Sequence, residues 1–315
     1  MARFVQYTAL GGPEVLELVE GPPPTAGEGE VVVELKASGV NPIDVKLRSG
    51  FRPSPPFTGP RGTGWDGAGV ITELGAGVTD WAVGDEVVVT NARGSYATHT
   101  RVPASGLTRK PAALSWVQAA GLGIPAGTAY QGLRSLGVES GMTVLVHAAS
   151  GAVGQAAVQF ARAMGARVIG TASSGNHDRL RQLGAIPVTY GDGLAERVRA
   201  IAPDGVDRVF DGAGTDEAIE DSLQLVSDPQ HIGTIVRGAD AAGWGIKAWS
   251  GGSPVPLSEQ EVAWRAEGVR VAAERAARGE FDVEIARTMS LDQAVEAQRM
   301  LEDGTAPRGK IVLLP

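Results

Sequence analysis

Gly141–His177 reads GMTVLVHAASGAVGQAAVQFARAMGARVIGTASSGNH. Thr143–Val146 is short, apolar and β-branched, which suits a strand buried on both faces of a parallel sheet. Ala148, Gly151 and Gly154 follow with the spacing A-x-x-G-x-x-G. Val153, Ala157, Phe160, Ala161 and Met164 then fall on one stripe at helical spacing, and Gly165 stands where a helix stops. Arg167–Thr171 is a second apolar strand. Strand, glycine turn, helix, strand is the dinucleotide-binding βαβ unit. A side chain at Gly151 or Gly154 would obstruct either a pyrophosphate or the packing of helix on strand. Free N–H groups at the helix start, with the helix dipole behind them, then face the anion. Two glycines alone would signal only a tight turn; the flanking strands favour the nucleotide.

The residues after the second strand bear on which nucleotide. An NAD site usually places a carboxylate about 20 residues after the glycines, on the ribose hydroxyls. Here that place is held by Ser173 and Ser174, followed by Asn176, His177 and Arg179, with no carboxylate between Gly154 and Asp178. Hydroxyls and a cation suit a 2′-phosphate, which favours NADPH. The alternative is an ordinary solvated loop with Arg179 on a helix surface.

Composition limits the remaining possibilities. The 315 residues, 43% apolar and 20% charged, describe a globular chain of one or two domains. The absence of cysteine excludes disulfides, thiolate metal sites and a cysteine nucleophile. A net charge of −8 argues against nucleic acid or an anionic membrane as partner. No signal pattern opens the chain and no apolar run is long enough to span a bilayer, so a cytoplasmic protein is expected.

Outside the central stretch, the first 110 residues contain many short strand-like runs, such as Arg3–Leu10, Val31–Val40, Gly67–Leu74 and Val83–Thr90, separated by turn signals. Such a pattern is β-rich and barrel-like. Residues 51–64, with four prolines and three glycines, read as irregular. Ser115 is a good N-cap, and strands and helices alternate from there to about Trp249, the signature of a doubly wound parallel sheet. The strands are expected at 143–148, 167–171, 187–190, 207–211 and 232–236, with 245–249 as a further candidate. A long helix at 258–278 follows, and the chain returns to β character before a terminal strand at 309–314. That strand needs a sheet, and the N-terminal β domain is its expected home. The expected architecture is therefore α/β: a Rossmann sheet, residues 121–278, inserted into a β domain made of residues 1–120 and 279–315. Ligands in such folds bind in a crevice beyond the carboxyl ends of the strands.

Several segments together are similar to the medium-chain dehydrogenase/reductase superfamily, in its zinc-free quinone oxidoreductase (zeta-crystallin-like) branch. They are Gly39-Val40-Asn41-Pro42-Ile43-Asp44, Gly64-Trp65-Asp66-Gly67-Ala68-Gly69-Val70, Val83-Gly84-Asp85-Glu86-Val87, Gly94-Ser95-Tyr96-Ala97, Gly127-Thr128-Ala129-Tyr130, His147–Gly154 and Arg308-Gly309-Lys310-Ile311-Val312-Leu313. The resemblance covers nearly the whole chain and implies a GroES-like β-barrel catalytic domain. Zinc-dependent cousins carry a cysteine where this chain has Asn41 and a His-Glu pair where it has Trp65-Asp66. A catalytic zinc needs three converging protein ligands; His99, His147, His177 and His231 are isolated in the sequence, so no metal is expected. His147, closing an apolar strand, reads as a satisfied core residue.

Without a metal to polarise an alcohol, the reaction expected is hydride delivery to an acceptor already electrophilic, a quinone or an α,β-unsaturated carbonyl. The resemblance implies that Asn41 and Asp44 line the acceptor site and that Thr128 lies beside the nicotinamide end. Asn41-Pro42-Ile43-Asp44 also reads as a plain turn, and the two readings are compatible. Ser150, Gly151, Ala152, Val153 and Gly154 would hold the pyrophosphate. Ser173, His177 and Arg179 would face the adenosine phosphate, and Tyr190 either packs on the adenine or is a rim aromatic. Relatives carry a tyrosine after the Arg-x-Gly turn where this chain has Arg48-Ser49-Gly50-Phe51, so that phenol is absent; Tyr7 and Tyr96 are candidate substitutes. Trp244 and Trp249 are candidates for an acceptor pocket or an interface, and 245–249 for the edge of a homodimer. Three functions compete: an NADPH-dependent quinone reductase, an enoyl or enone reductase, and a non-catalytic NADPH-binding protein.

Overall fold

The structure is a computed structural model and describes every residue except Ser250, Gly251, Gly252 and Pro254. Contacts divide it into two compact units, Met1–Ile124 with Val269–Pro315, and Pro125–Gly268. The first unit opens with β1 (Ala2–Tyr7), β2 (Glu17–Gly21), β3 (Glu30–Gly39), α1 (Pro42–Arg48), β4 (Arg61–Gly62), β5 (Asp66–Leu74), β6 (Glu86–Val89), β7 (His99–Pro103), β8 (Leu107–Arg109) and α2 (Trp116–Ala120). The chain then runs through α3 (Gly123–Ser135), β9 (Thr143–His147), α4 (Ala152–Ala163), β10 (Arg167–Thr171), α5 (His177–Gln182), β11 (Ile186–Val188), α6 (Leu194–Ile201) and β12 (Arg208–Asp211). It continues through α7 (Asp216–Leu225), β13 (Ile232–Thr234), α8 (Ala241–Trp244), β14 (Lys247–Ala248) and α9 (Glu259–Ala277), and closes with β15 (Ile285–Ser290), α10 (Ala294–Glu302) and β16 (Lys310–Leu314). No helix among the described residues is long and apolar enough to cross a membrane.

The second unit is a parallel sheet in the order β11-β10-β9-β12-β13-β14. This is the doubly wound arrangement, in which strand order reverses beside β9. Its strands are β-branched and buried because helices cover both faces. Leu145, Ile169, Val209 and Ile232 are each fully buried in one cluster. Tyr130 on α3 meets Phe160 on α4 edge to face, with ring centroids 5.1 Å apart. Gly165, at φ 87, ends α4 where the sequence predicts, and the Ala166 amide reaches back to the Ala161 carbonyl.

In the first unit, β3 is the central strand. It pairs antiparallel with β5 along its length, with β7 at one end and with β16 at the other. The terminal strand thus takes its place in the β-rich unit, and its register sets Val312 opposite Gly39. Val31, Val33 and Leu35 share a core with Ile71, Val87 and Val89, and Val32, which points to the other face, is buried as well. Strands β2, β4 and β8 depart from the sequence reading. They are short and mixed in character; β4, for instance, is two residues inside the proline-rich stretch, paired to β1.

The structure bears on one of the expectations for the tryptophans. Trp249 is buried at 6% exposure, and its ring fills the space over Gly233, where an added Cβ would meet it at 2.2 Å. It therefore packs the core of the second unit rather than an acceptor pocket. Trp244 stacks under the Arg237 guanidinium, 4.9 Å from its ring centroid.

Candidate active site

The turn after β9 is built around Ala148, a non-glycine residue in the left-handed region at φ 52. That conformation costs an L-residue about 1–2 kcal/mol. Two hydrogen bonds from β10 hold it: the Ala148 amide donates to Thr171 Oγ1 at 3.2 Å and the Ala149 amide to the Thr171 carbonyl at 3.0 Å. His147 stands behind the turn. Its Nε2 lies 3.0 Å from Ser222 Oγ, which itself donates to the Ala218 carbonyl. Ser222 must then accept, so the imidazole carries its proton on Nε2 and offers Nδ1 to the Thr171 hydroxyl, 3.4 Å away. Burial holds its pKa down to about 4, so it is neutral and structural, as the sequence suggests.

The two glycines of the turn differ in kind. A Cβ on Gly154 would meet the Ala148 carbonyl oxygen at 2.2 Å and Ala149 Cα at 2.7 Å; this glycine is needed for helix to pack on turn. Gly151 has ordinary φ and ψ of −72° and 163°, and a Cβ there meets only the Ala148 carbonyl, at 3.4 Å. Nothing among the described residues requires a glycine at 151.

Side chains from neighbouring strand ends tie the candidate adenosine residues to this turn. Asn176 Nδ2 donates to Ser150 Oγ at 3.3 Å and to Ser173 Oγ at 3.1 Å. Gln155, buried on α4, donates to the Ser150 carbonyl and accepts from Arg179 Nε, both at 2.9 Å. Thr189 Oγ1 lies 3.4 Å from His177 Nε2. Ser150, Ser173 and Arg179 are thereby connected through Asn176 and Gln155, while His177 is tied instead to Thr189. Tyr190, next along the chain from Thr189, is 57% exposed. Thr128 is buried on α3.

Asn41 and Asp44, the residues expected to line the acceptor site, lie in the first unit. They are buried, each at 1% exposure; the Asn41 amide and Asp44 Oδ2 are hydrogen-bonded within the unit, while Asp44 Oδ1 has no hydrogen-bond partner among the described residues. The Asn41 amide and the Tyr96 hydroxyl both donate to Asp44 Oδ2, at 2.9 and 2.8 Å. Asn41 Nδ2 donates to Asp66 Oδ2 at 3.0 Å, and Asn41 Oδ1 accepts from Lys310 Nζ at 2.6 Å. An ammonium only donates and a carboxylate only accepts, so these neighbours fix the orientation of the Asn41 amide. Asp66 Oδ2 also accepts from the Ile124 amide, and Lys310 donates to the Val40 carbonyl. Lys310, Asp66 and Tyr96 belong to segments that mark the resemblance, yet sequence reasoning assigned Lys310 and Asp66 no role. Their convergence depends on β16 joining β3. Tyr96 is fully buried with its hydroxyl on Asp44, and Tyr7 packs edge to face with Phe57. Arg48, also fully buried, donates to Gln298, Glu302 and the Gly11 carbonyl, while Phe51 is exposed.

Two carboxyls and one ammonium share this interior. Burial pushes the Asp44 carboxyl up to about 7, against the opposing hydrogen bonds from Tyr96 and Asn41. Burial likewise raises Asp66 and lowers Lys310, with the ammonium and the carboxylates each pulling the other back. Because the folded value for Asp44 lies above the 3.8 of an unfolded carboxyl, the native state binds the extra proton. Its contribution is complete below that value and is lost as pH rises towards 7. Asp44→Asn should remove this dependence. The stability difference between wild type and variant, from urea unfolding, is expected to move against the wild type between pH 4 and 7 by up to about 1.4 kcal/mol per pH unit. A difference that does not vary with pH would exclude the raised carboxyl.

With this geometry in view, residues 27–131 match the family described as alcohol dehydrogenase GroES-like domain, and residues 152–237 that described as zinc-binding dehydrogenase. The quinone oxidoreductase of Salmonella typhimurium is 38% identical over 232 residues, 71% of this chain and 70% of the relative. The human synaptic vesicle membrane protein VAT-1 homologue is 36% identical over 221 residues, 68% of this chain but only 56% of that protein. The structure of Escherichia coli quinone oxidoreductase complexed with NADPH superposes at a TM-score of 0.84, with 29% identity and all of both chains covered. The zinc implied by one family description does not fit these residues. The chain has no cysteine, Asn41 is held by Lys310 and Asp66, and no group of three His, Cys, Asp or Glu that could hold a metal occurs among the described residues. The matches over more than two thirds of both chains, on a donor set unsuited to zinc, place the protein in the medium-chain dehydrogenase/reductase superfamily, in its zinc-free quinone oxidoreductase branch.

Proposed function

We propose that the chain is an NADPH-dependent reductase that passes a hydride to a quinone without a metal. Gly151 carries the reading: its backbone is unstrained and its surroundings are open, so its lack of a side chain serves an incoming group. Ser150, Gly151, Ala152, Val153 and Gly154 hold a pyrophosphate against the N-terminus of α4. Ser173, His177 and Arg179 read the 2′-phosphate, Tyr190 packs on the adenine, and Thr128 lies at the nicotinamide end. NADPH supplies the hydride when bound. A quinone suits this chain because its carbonyls are electrophilic without a Lewis acid, so the protein's work is positioning.

Asn41 and Asp44 act in this reading as positioning residues. Asp44, between the Asn41 amide and the Tyr96 hydroxyl, holds the first turn of α1. Reduction of a quinone to a hydroquinone also takes one proton, and buried Asp44 and Tyr96 are poorly placed to hand it directly to a substrate, so water supplies it. The place of β14 at the sheet edge supports pairing with a second copy.

Following NADPH absorbance with a panel of acceptors tests the activity. Consumption with a simple benzoquinone is expected, faster than with an enone of similar size; the reverse order would assign a carbon–carbon double bond as the target. Gly151→Val should lower NADPH affinity at least a hundredfold by titration while unfolding as cooperatively as wild type. Gly154→Ala should instead lose about 1–3 kcal/mol of stability through overpacking. Unchanged affinity in the first variant would remove the phosphate assignment. Arg179→Ala should weaken NADPH about tenfold or more, as loss of a charge-assisted hydrogen bond does, and leave NADH little changed. Equal losses for the two nucleotides would show that Arg179 does not read the 2′-phosphate.

A further inference from the structure

Arg197 lies in the first turn of α6, the end of a helix where a cation is disfavoured by the dipole. Its guanidinium is turned back onto the preceding loop. It donates to the Thr189 carbonyl at 2.9 Å, the Gly191 carbonyl at 2.8 Å and the Asp192 carbonyl at 2.6 Å. The first two flank Tyr190. The loop itself needs Gly191 at φ 96 and Gly193 at φ 75, conformations that glycine adopts freely and that by themselves leave the backbone pliant.

A single exposed aromatic is ordinary on a protein surface. Tyr190 differs because the peptide groups on both sides of it are pinned by one planar fork. The loop leaves the carboxyl end of β11, which pairs in parallel with β10 as β10 does with β9. It therefore shares the sheet edge with the Ala148 turn and with Ser173–His177, and Thr189 also reaches His177. We infer that Arg197 is a positioning residue for the adenosine end of the cofactor: it fixes the loop that presents Tyr190 as a stacking platform. The inference rests on the NADPH reading above. Lysine is no substitute, since a single ammonium on a flexible stem lacks the rigid fork.

Titration of the full chain with adenosine 2′,5′-bisphosphate, a fragment without nicotinamide, tests the role. Tyr190→Ala is expected to weaken the fragment about tenfold, within the range of base–aromatic stacking. Arg197→Lys should cost nearly as much in the wild-type background and less than twofold in the Tyr190→Ala background, because a residue acting through Tyr190 has nothing left to position. Without ligand, amides of 189–193 should exchange several-fold faster in Arg197→Lys. Fragment affinity within twofold of wild type, the same loss in both backgrounds, or unchanged exchange would each overturn the inference. Failure of the wild type to bind either NADPH or the fragment would overturn the cofactor reading, and this inference with it.

Discussion

The left-handed turn at Ala148 is the constraint on which the second unit depends. A strand must end, reverse its path and begin a helix within a few residues, and at Ala148 the chain accepts a strained φ of 52° to do so. Thr171 on the adjacent strand makes the strain tolerable by taking the Ala148 amide on its hydroxyl and the Ala149 amide on its carbonyl. The Thr171 hydroxyl is oriented in turn by His147, whose own proton is directed to Ser222. A turn imposed by such a chain of buried donors and acceptors is formed before any ligand arrives, because breaking one link strands the next. Preformed N–H groups then cost a bound phosphate little ordering.

The first unit meets a different demand. It buries Lys310 within electrostatic reach of the Asp66 and Asp44 carboxyls, an arrangement in which removing one partner is costly although the set as a whole adds little stability. What the set provides is direction. Lys310 and Asp66 face opposite ends of one amide, so Asn41 has a single orientation, and Asp44 joins it to Tyr96 from another strand connection. A metal-dependent relative would use side chains at these positions as ligands. Here they form hydrogen bonds with one another, leaving no convergent set of lone pairs for a cation.

The sequence conveyed the parts of this molecule that depend on periodicity. The strands at Thr143–His147 and Arg167–Thr171, the stop at Gly165 and the Ser115 cap follow from local pattern, and the structure has them. Pattern reports which face is buried and is silent about what meets it. Asn41, Asp66, Tyr96 and Lys310 are far apart in the chain and become neighbours only through strand register. Trp249 reads as a candidate for an acceptor pocket or an interface, and only the structure sets its ring over Gly233. The two glycines of the turn look equivalent in a motif, and only the surrounding atoms separate Gly154, which packing requires, from Gly151, whose surroundings are open.

One physical cause, burial, moves Asp44 and His147 in opposite directions on the pH scale. It disfavours the charged form of each, so the carboxyl rises to about 7 and the imidazole falls to about 4. The native state therefore holds more protons than the unfolded chain at Asp44 and fewer at His147. From pH 4 to about 6.5 the two slopes oppose: acidification strengthens the preference for a neutral carboxyl while it penalises a neutral imidazole. A flat stability profile across mildly acidic pH would then be the sum of two steep contributions rather than evidence that no buried group titrates. Removing either group alone exposes the slope of the other.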